Sequence, residues 1–188
     1  MHDVVYSLSI SVDGYIYGPD GSFDWSVPDA GVFDVAMDEI RNVGVHLLGT
    51  RLYEAMVYWE TAEAEEKLDA AEVEFARIWK ALPKVVFTHS LTSVVGNSRI
   101  ASGTIADEIA ALKAEPGNGD IAIGGADLAA QIADLNLIDE YRIRLYPVLV
   151  GGGQPYFAHH RRFEQMRLVE NRMLDQVVYL RYRSIRQP

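Results

Sequence analysis

The clearest periodicity lies at the start of the chain. From Val4 to Val12 the apolar Tyr6, Leu8, Ile10 and Val12 alternate with Ser7, Ser9 and Ser11. A period of two predicts a strand with one apolar face and one hydroxyl-lined face. Those serines either meet solvent or, if the strand is central to a sheet, line a ligand. Asp13-Gly14-Tyr15-Ile16 then turns the chain, and residues 17–25 are rich in turn formers. A helical period follows: Val32, Val35, Ala36, Ile40 and Val43 make one stripe, with Asp29 placed to cap it. Val45–Leu48 reads as a buried strand that passes through Gly49-Thr50-Arg51-Leu52 into another helix. Thr61–Leu82 reads as one long helix, with Glu63, Glu65 and Glu66 solvated and Phe75, Ile78, Trp79 and Leu82 packed.

The second half alternates in the same way. Val85–Thr88 predicts a strand and Asn97–Ser102 a short one, and Thr104-x-x-Asp107 has the form of a capping box. Pro116-Gly117 ends that helix. Ile121-Ala122-Ile123 is a short apolar run suited to a strand buried on both faces. After Gly124-Gly125, Leu128, Ala129, Ile132 and Leu135 recur at helical spacing. In Tyr141–Tyr146, Arg142 and Arg144 alternate with Tyr141, Ile143 and Leu145, and residues 167–169 and 177–182 flank a turn. This order predicts an α/β protein: a mixed, mostly parallel sheet, helices on both faces and a C-terminal antiparallel hairpin.

Composition narrows the classes. The chain has 188 residues, 49% hydrophobic and 23% charged, which suits one globular domain over residues 1–188. No apolar run approaches the ~20 residues of a membrane span. With no cysteine, disulfides and thiolate chemistry are excluded, and a cytoplasmic protein is expected. A net charge of −10 argues against nonspecific nucleic-acid binding, although local donors can still hold an anionic nucleotide. No metal site is expected: His159 and His160 are adjacent and no H-x-x-x-H occurs. The run His159-His160-Arg161-Arg162 is either a basic surface loop or a receiver for a substrate phosphate.

Candidate chemistry gathers where strands run into helices. The Gly124-Gly125 step is either a plain tight turn or a place where free amides at a helix N-terminus meet phosphate. Gly49, Thr88 and Gly124-Gly125 would all fall at carboxyl ends of strands, where open α/β sheets bind ligands. Three such ends suit an extended dinucleotide better than a small metabolite. A Rossmann fold is excluded, because no G-x-G-x-x-G follows a strand.

Several segments have a common source. Ser11-Val12-Asp13-Gly14-Tyr15-Ile16, Gly124-Gly125, Leu137-Ile138-Asp139-Glu140 and Pro147-Val148-Leu149-Val150-Gly151-Gly152-Gly153-Gln154-Pro155-Tyr156-Phe157 stand in order. Together they resemble the reductase domain of the bifunctional riboflavin-pathway deaminase–reductase and its stand-alone relatives, which share the dihydrofolate reductase fold. The resemblance implies NADPH held by Gly49, Thr50, Arg51 and Leu52, by Thr88, His89 and Ser90, and by Gly124, Gly125, Ala126, Asp127 and Leu128. It places Ser9 and Ile16 beside the nicotinamide and Ser7, Trp25 and Trp59 beside the substrate. It also implies a cis peptide between Gly124 and Gly125.

The chain departs from the family in the first turn, where Thr50 and Leu52 replace an arginine and a threonine; Arg51 stands one place along as a substitute. At the third strand, His89 replaces an arginine expected at the adenosine 2′-phosphate. It is either a loop histidine or a phosphate ligand. Asp34 lies nearest the first-helix carboxylate that dihydrofolate reductases use as proton source. It is either that group or a solvated helix residue, with water as donor.

The implied reaction is reduction of a heterocyclic or ribosylamino-pyrimidine substrate, nearest to 5-amino-6-(5-phosphoribosylamino)uracil. A dihydrofolate or pterin reductase and a noncatalytic nucleotide-binding protein are the alternatives. A homodimer through the last strands is expected, because Tyr141–Tyr146 and Val177–Tyr182 interleave aromatics with arginines.

Overall fold

A computed structural model describes residues 2–65, 68–117, 119–157 and 164–185. The first strand, β1 (Val4–Ser11), lies inside an eight-stranded sheet. On one side it pairs in parallel with β6 (Asp120–Gly124), then come β3 (Val43–Gly49), β4 (Lys84–Phe87) and β5 (Ser98–Ile100). On the other side it pairs in parallel with β7 (Glu140–Tyr146). The antiparallel hairpin of β10 (Val177–Ser184) and β9 (Met166–Leu174) completes that edge. The expected mostly parallel sheet with a terminal hairpin is therefore present. Two short strands went unforeseen: β2 (Tyr15–Tyr17) and β8 (Gln154–Pro155) pair with each other apart from the main sheet.

Local signals set the helices. In α1 (Ala30–Arg41), the Asp29 carboxylate accepts the Val32 amide at 2.8 Å, as its cap position predicts. In α5 (Ile105–Ala114), the Thr104–Asp107 capping box forms. The long helix expected over Thr61–Leu82 is instead two, α3 (Tyr58–Glu65) and α4 (Ala70–Ala81). Asp69 explains the restart. It takes an extended backbone, accepts the Ala71 and Glu72 amides at 2.8 Å, and receives Glu72 on its own amide at 2.9 Å. A complete capping box satisfies the orphan donors of a new helix, and this outweighs an unbroken apolar stripe. Between β3 and α3 runs α2 (Thr50–Met56), and α6 (Ala126–Asp134) follows β6.

Strand alternation sends neighbouring side chains to opposite faces, so two cores form. Leu47, Val85, Val4, Tyr6, Ile121 and Ile123 pack with α5 and α6, whereas Leu48 and Val86 pack with Tyr53 of α2 and Trp79 of α4. On the second face Lys84 is buried. Its ammonium donates to the Trp79 and Leu82 carbonyls at 2.6 and 3.1 Å, satisfying the end of α4, and pairs with Glu60 at 3.3 Å.

Beside Lys84, the His46 ring lies edge-on to Trp79 at 5.6 Å, with its Nδ1 enclosed. Burial, and secondarily the Lys84 charge, push His46 from the ordinary 6.5 down to about 4. A base depressed in the folded state adds nothing above pH 6.5. Between 6.5 and 4 the unfolded chain takes up a proton that the native protein does not, so stability falls with pH in that window. His46 is not completely shielded, so the expected loss is at most about 3 kcal/mol. Urea unfolding at stepped pH should show it, and His46→Gln should flatten the profile between pH 6.5 and 4. An unchanged slope in the variant would remove His46 as the cause.

Candidate functional site

The outgoing helices of β3 and β6 leave on opposite faces of the sheet, α2 toward Trp79 and α6 toward Val4. Adjacent parallel strands with connections of opposite sense make a topological switch point, and open α/β sheets take their ligands beyond the carboxyl ends of such strands. Leu48 pairs with Gly124 there, and Gly49 pairs with Phe87 of β4. The turns after β4, β3, β6 and β1, though far apart in sequence, therefore stand in one row along the sheet edge. With β7 added the row spans roughly 19 Å, four strand spacings.

Two glycines shape the centre of that row. A Cβ on Gly124 would come within 2.5 Å of Leu52 Cδ2 and 2.8 Å of both His46 Cε1 and Leu48 Cδ2, so Gly124 lets α2 close onto β6. Gly125 has φ +102° and ψ 132°, a backbone that glycine adopts readily, and the space toward its missing side chain is open. It caps α6 without a side-chain bond, leaving the amides of Ala126, Asp127 and Leu128 facing the crevice end. The Gly124–Gly125 peptide is trans, correcting the expected cis form. The positive φ of Gly125 turns the chain instead.

The far ends of the chain close the mouth together. The Asp13 carboxylate accepts the Gly151 amide at 2.8 Å and the Val150 amide at 3.2 Å. The Ser11 hydroxyl, followed by those two amides, holds Asp13 below its ordinary value. Tyr15 and Tyr17 of β2 pair with Pro155 and Gln154 of β8. Gly153, at φ +110°, lies so close to the Tyr17 carbonyl and Gly18 that no side chain fits.

Beneath α1 the sheet carries a polar layer. Ser7 and Ser9 of β1, Arg142 and Arg144 of β7, and Tyr179 and Arg181 of β10 share one face. Glu39 of α1 reaches into it: its Oε2 accepts Ser7 at 2.7 Å and Arg144 at 2.9 Å, and its Oε1 accepts Tyr179 at 2.7 Å. Arg144 also donates to the Ser7 and Ser9 hydroxyls at 3.0 and 3.3 Å. Burial, then Glu39, push the Tyr179 phenol well up. Below it Glu140, 1% exposed, takes Arg142 at 2.6 Å and Arg181 at 2.9 Å. Burial alone would raise the Glu140 carboxyl, but those arginines hold it below its ordinary value.

This arrangement has known counterparts. The sequence pattern of the RibD C-terminal domain matches residues 2–180. The chain belongs to the RibD C-terminal domain family. It is 25% identical over 182 residues to the uncharacterized protein YyaP of Bacillus subtilis (strain 168), covering 94% of this chain and 93% of YyaP. Its fold matches a Shewanella sp. PV-4 protein provisionally named for riboflavin biosynthesis, with a TM-score of 0.75, 21% identity and 99% and 100% of the two chains covered. It also matches the Thermotoga maritima diaminohydroxyphosphoribosylaminopyrimidine deaminase/5-amino-6-(5-phosphoribosylamino)uracil reductase. There the TM-score is 0.67 and the identity 17%; 98% of this chain is covered but only 57% of that longer one. The fold is dihydrofolate reductase-like, with a mixed, mostly parallel sheet, flanking helices and a terminal antiparallel hairpin.

In this RibD C-terminal domain the expected site residues other than Trp59 and Asp34 fall into three groups. Gly49, Thr50, Arg51, Gly124, Gly125, Ala126, Asp127 and Leu128 gather at the switch point, Arg51 and Asp127 exposed. Leu52 is there too, but its side chain packs under Gly124. Thr88, His89 and Ser90 stand beyond β4, where the Thr88 hydroxyl accepts the Ser90 and Leu91 amides at 3.2 and 3.1 Å; His89 and Ser90 are exposed. Toward β1, Ile16 packs on the first core and Ser7 and Ser9 bond within the polar layer. Trp25 lies edge-on to Tyr146 at 5.8 Å. Trp59 is set apart from Trp25, packed on Phe75 at 4.7 Å in the second core. Asp34 is exposed on α1, and the carboxylate that α1 turns inward is Glu39. The i, i+3 and i+7 spacing of Val32, Val35 and Glu39 was the available signal for it. The run His159–Arg162 lies outside the described residues.

The Glu39–Arg144 pair is expected to hold α1 on the sheet. Both side chains are largely buried, at 14% and 11% exposure. Removing one charge strands the other, so Glu39→Gln should cost about 3 kcal/mol. A double-mutant cycle with Arg144→Met in urea should give a coupling of at least about 1 kcal/mol. A coupling near zero would mean that α1 is held by its apolar stripe alone.

Proposed function

We propose that this chain is an NADPH-dependent reductase of a heterocyclic or ribosylamino-pyrimidine substrate, with chemistry nearest to that named for the Thermotoga maritima relative. The observation that carries this reading is the single row of turns across the switch point, joined to membership of the RibD C-terminal domain family. The residues present suit the cofactor. Gly125 leaves an open approach to the amides of α6, whose positive end favours phosphate. Arg51, exposed and without an ion pair among the described residues, stands on the next strand's turn beside Thr88, His89 and Ser90.

When bound, the nicotinamide supplies the hydride. This chain's own task is then to position it and exclude water. Ser9 and Ile16 would flank the ring at the end of β1, and Trp25 and Tyr146 would wall the substrate side. The reduction also takes up a proton. Glu39 is engaged by three donors, which favours the exposed Asp34 or a water as its source. The same observation supports the second reading, a nucleotide-binding protein without catalysis.

Isothermal calorimetry tests the cofactor. NADPH should bind, and Arg51→Ala should weaken it by roughly 1–3 kcal/mol, the worth of a charge-assisted hydrogen bond. No heat from NADPH or NADH would remove the reductase reading.

We also propose a homodimer through the outer hairpin. Leu168 and Met173 of the edge strand β9 are 47% and 68% exposed, more apolar surface than an edge strand normally leaves to water. The interleaved arginines support it less, because Arg142, Arg144 and Arg181 bond within the chain. Sedimentation should give a dimer at micromolar concentration that Met173→Glu dissociates; a monomeric parent would overturn the proposal.

A further inference from the structure

The phosphate-holding end of the row is made by two segments far apart in sequence. Thr50 and Arg51 open α2, whereas Thr88, His89 and Ser90 begin residues 88–97, which form neither helix nor strand and lead to β5. A ligand held between the two segments needs them at a fixed separation. Backbone without ladder bonds does not supply that by itself. Within residues 88–97 the Thr88 hydroxyl accepts the Ser90 and Leu91 amides, which makes 88–91 one tight turn. Where that turn stands is set by how the segment docks.

The docking contacts come from α2, α3 and α4. Leu91 and Val94 pack against the second core. The Val95 amide donates to the Tyr53 hydroxyl of α2 at 2.7 Å, across 42 residues of chain. Gly96 has φ +68° and lies against α3: a Cβ there would overlap the Glu60 carboxylate, which pairs with Lys84 at 3.3 Å. Asn97 Nδ2 donates to the Ala81 carbonyl at the end of α4 at 2.8 Å.

Tyr53 is the contact that joins the two segments directly. It stands two residues after Arg51, about 200° round the helix. One turn of α2 therefore sends the guanidinium out to solvent and the phenol inward. Tyr53 is 6% exposed, and its ring packs with Leu48, Trp79 and Val86. Phenylalanine would fill the same space with no phenol oxygen to desolvate. What the hydroxyl adds is a directed bond, and its partner lies in the segment that carries Thr88, His89 and Ser90.

We infer that Tyr53 is a positioning residue for the cofactor: by its bond to the Val95 amide it holds residues 88–90 at a fixed distance from Arg51, so that both segments meet one phosphate-bearing ligand. This deepens the reductase reading and rests on it. The residue acts from the core, through the segment it anchors.

The test is a thermodynamic cycle on cofactor affinity. NADP+ is titrated by calorimetry into the parent, into Tyr53→Phe, into the double variant His89→Ala, Ser90→Ala, and into the triple variant. His89 and Ser90 are exposed, and urea unfolding checks that every variant is folded at the titration temperature. Tyr53→Phe should bind NADP+ about three- to tenfold more weakly, because losing one hydrogen bond lowers the population of the docked segment by about that factor. The double variant should also bind more weakly, and adding Tyr53→Phe to it should cost little more. A hydroxyl that only stabilised the core would lower the urea midpoint and leave affinity unmoved. Equal affinity of parent and Tyr53→Phe, a double variant that binds as the parent does, or the same fold loss from Tyr53→Phe in both backgrounds overturns the inference and leaves the reductase reading standing. A parent that binds no NADP+ removes that reading, and the inference with it.

Discussion

The structure depends on the close approach of α2 to β6 at Gly124. Leu52, Leu48 and His46 occupy the volume that any side chain there would need. Because that volume is filled, β3 and β6 pair to their carboxyl ends while their helices depart on opposite faces. The switch point follows from this arrangement. It also explains why Leu52 is leucine where the family carries a threonine: the position is used for packing, and the charge at this turn falls to Arg51.

A second constraint comes from the polar layer under α1. An apolar helix over this sheet face would strand Arg144, whereas Arg142 and Arg181 are paired from within the sheet. Glu39 from above and Glu140 from within the strand supply the opposite charges. The same bonds use the inward carboxylate of α1, so the groove beside β1 has charge balance rather than a spare acid. Stability and chemistry thus draw on the same side chains here.

The mouth is shaped by pairing between segments more than a hundred residues apart. Asp13 holds Val150 and Gly151, and Gly153 lies against Tyr17 and Gly18. This pairing brings the turn after β1 beside residues 150–155, while Arg51 and His89 stand at the other end of the row.

Much of this was legible in the chain. Apolar spacing identified β1, α1, α6 and β7, short apolar runs marked β3 and β6, and Asp29 and Thr104 marked the starts of α1 and α5 through bonds local in sequence. The glycine turns and the segment from Leu137 to Phe157 pointed to the fold and to the strand ends. Asp69 was a local signal as well, overridden in the reading by a continuous stripe. What tertiary structure alone decided is long-range. Whether Ser7 and Ser9 met solvent or a ligand depended on Glu39 and Arg144, 32 and 135 residues away. Two-residue β8 and three-residue β2 exist only as each other's partners. Trp59 joins the second core because α3 packs on α4. Spacing along a chain reports which side of an element a residue occupies; what stands opposite that side is set only when the elements pack.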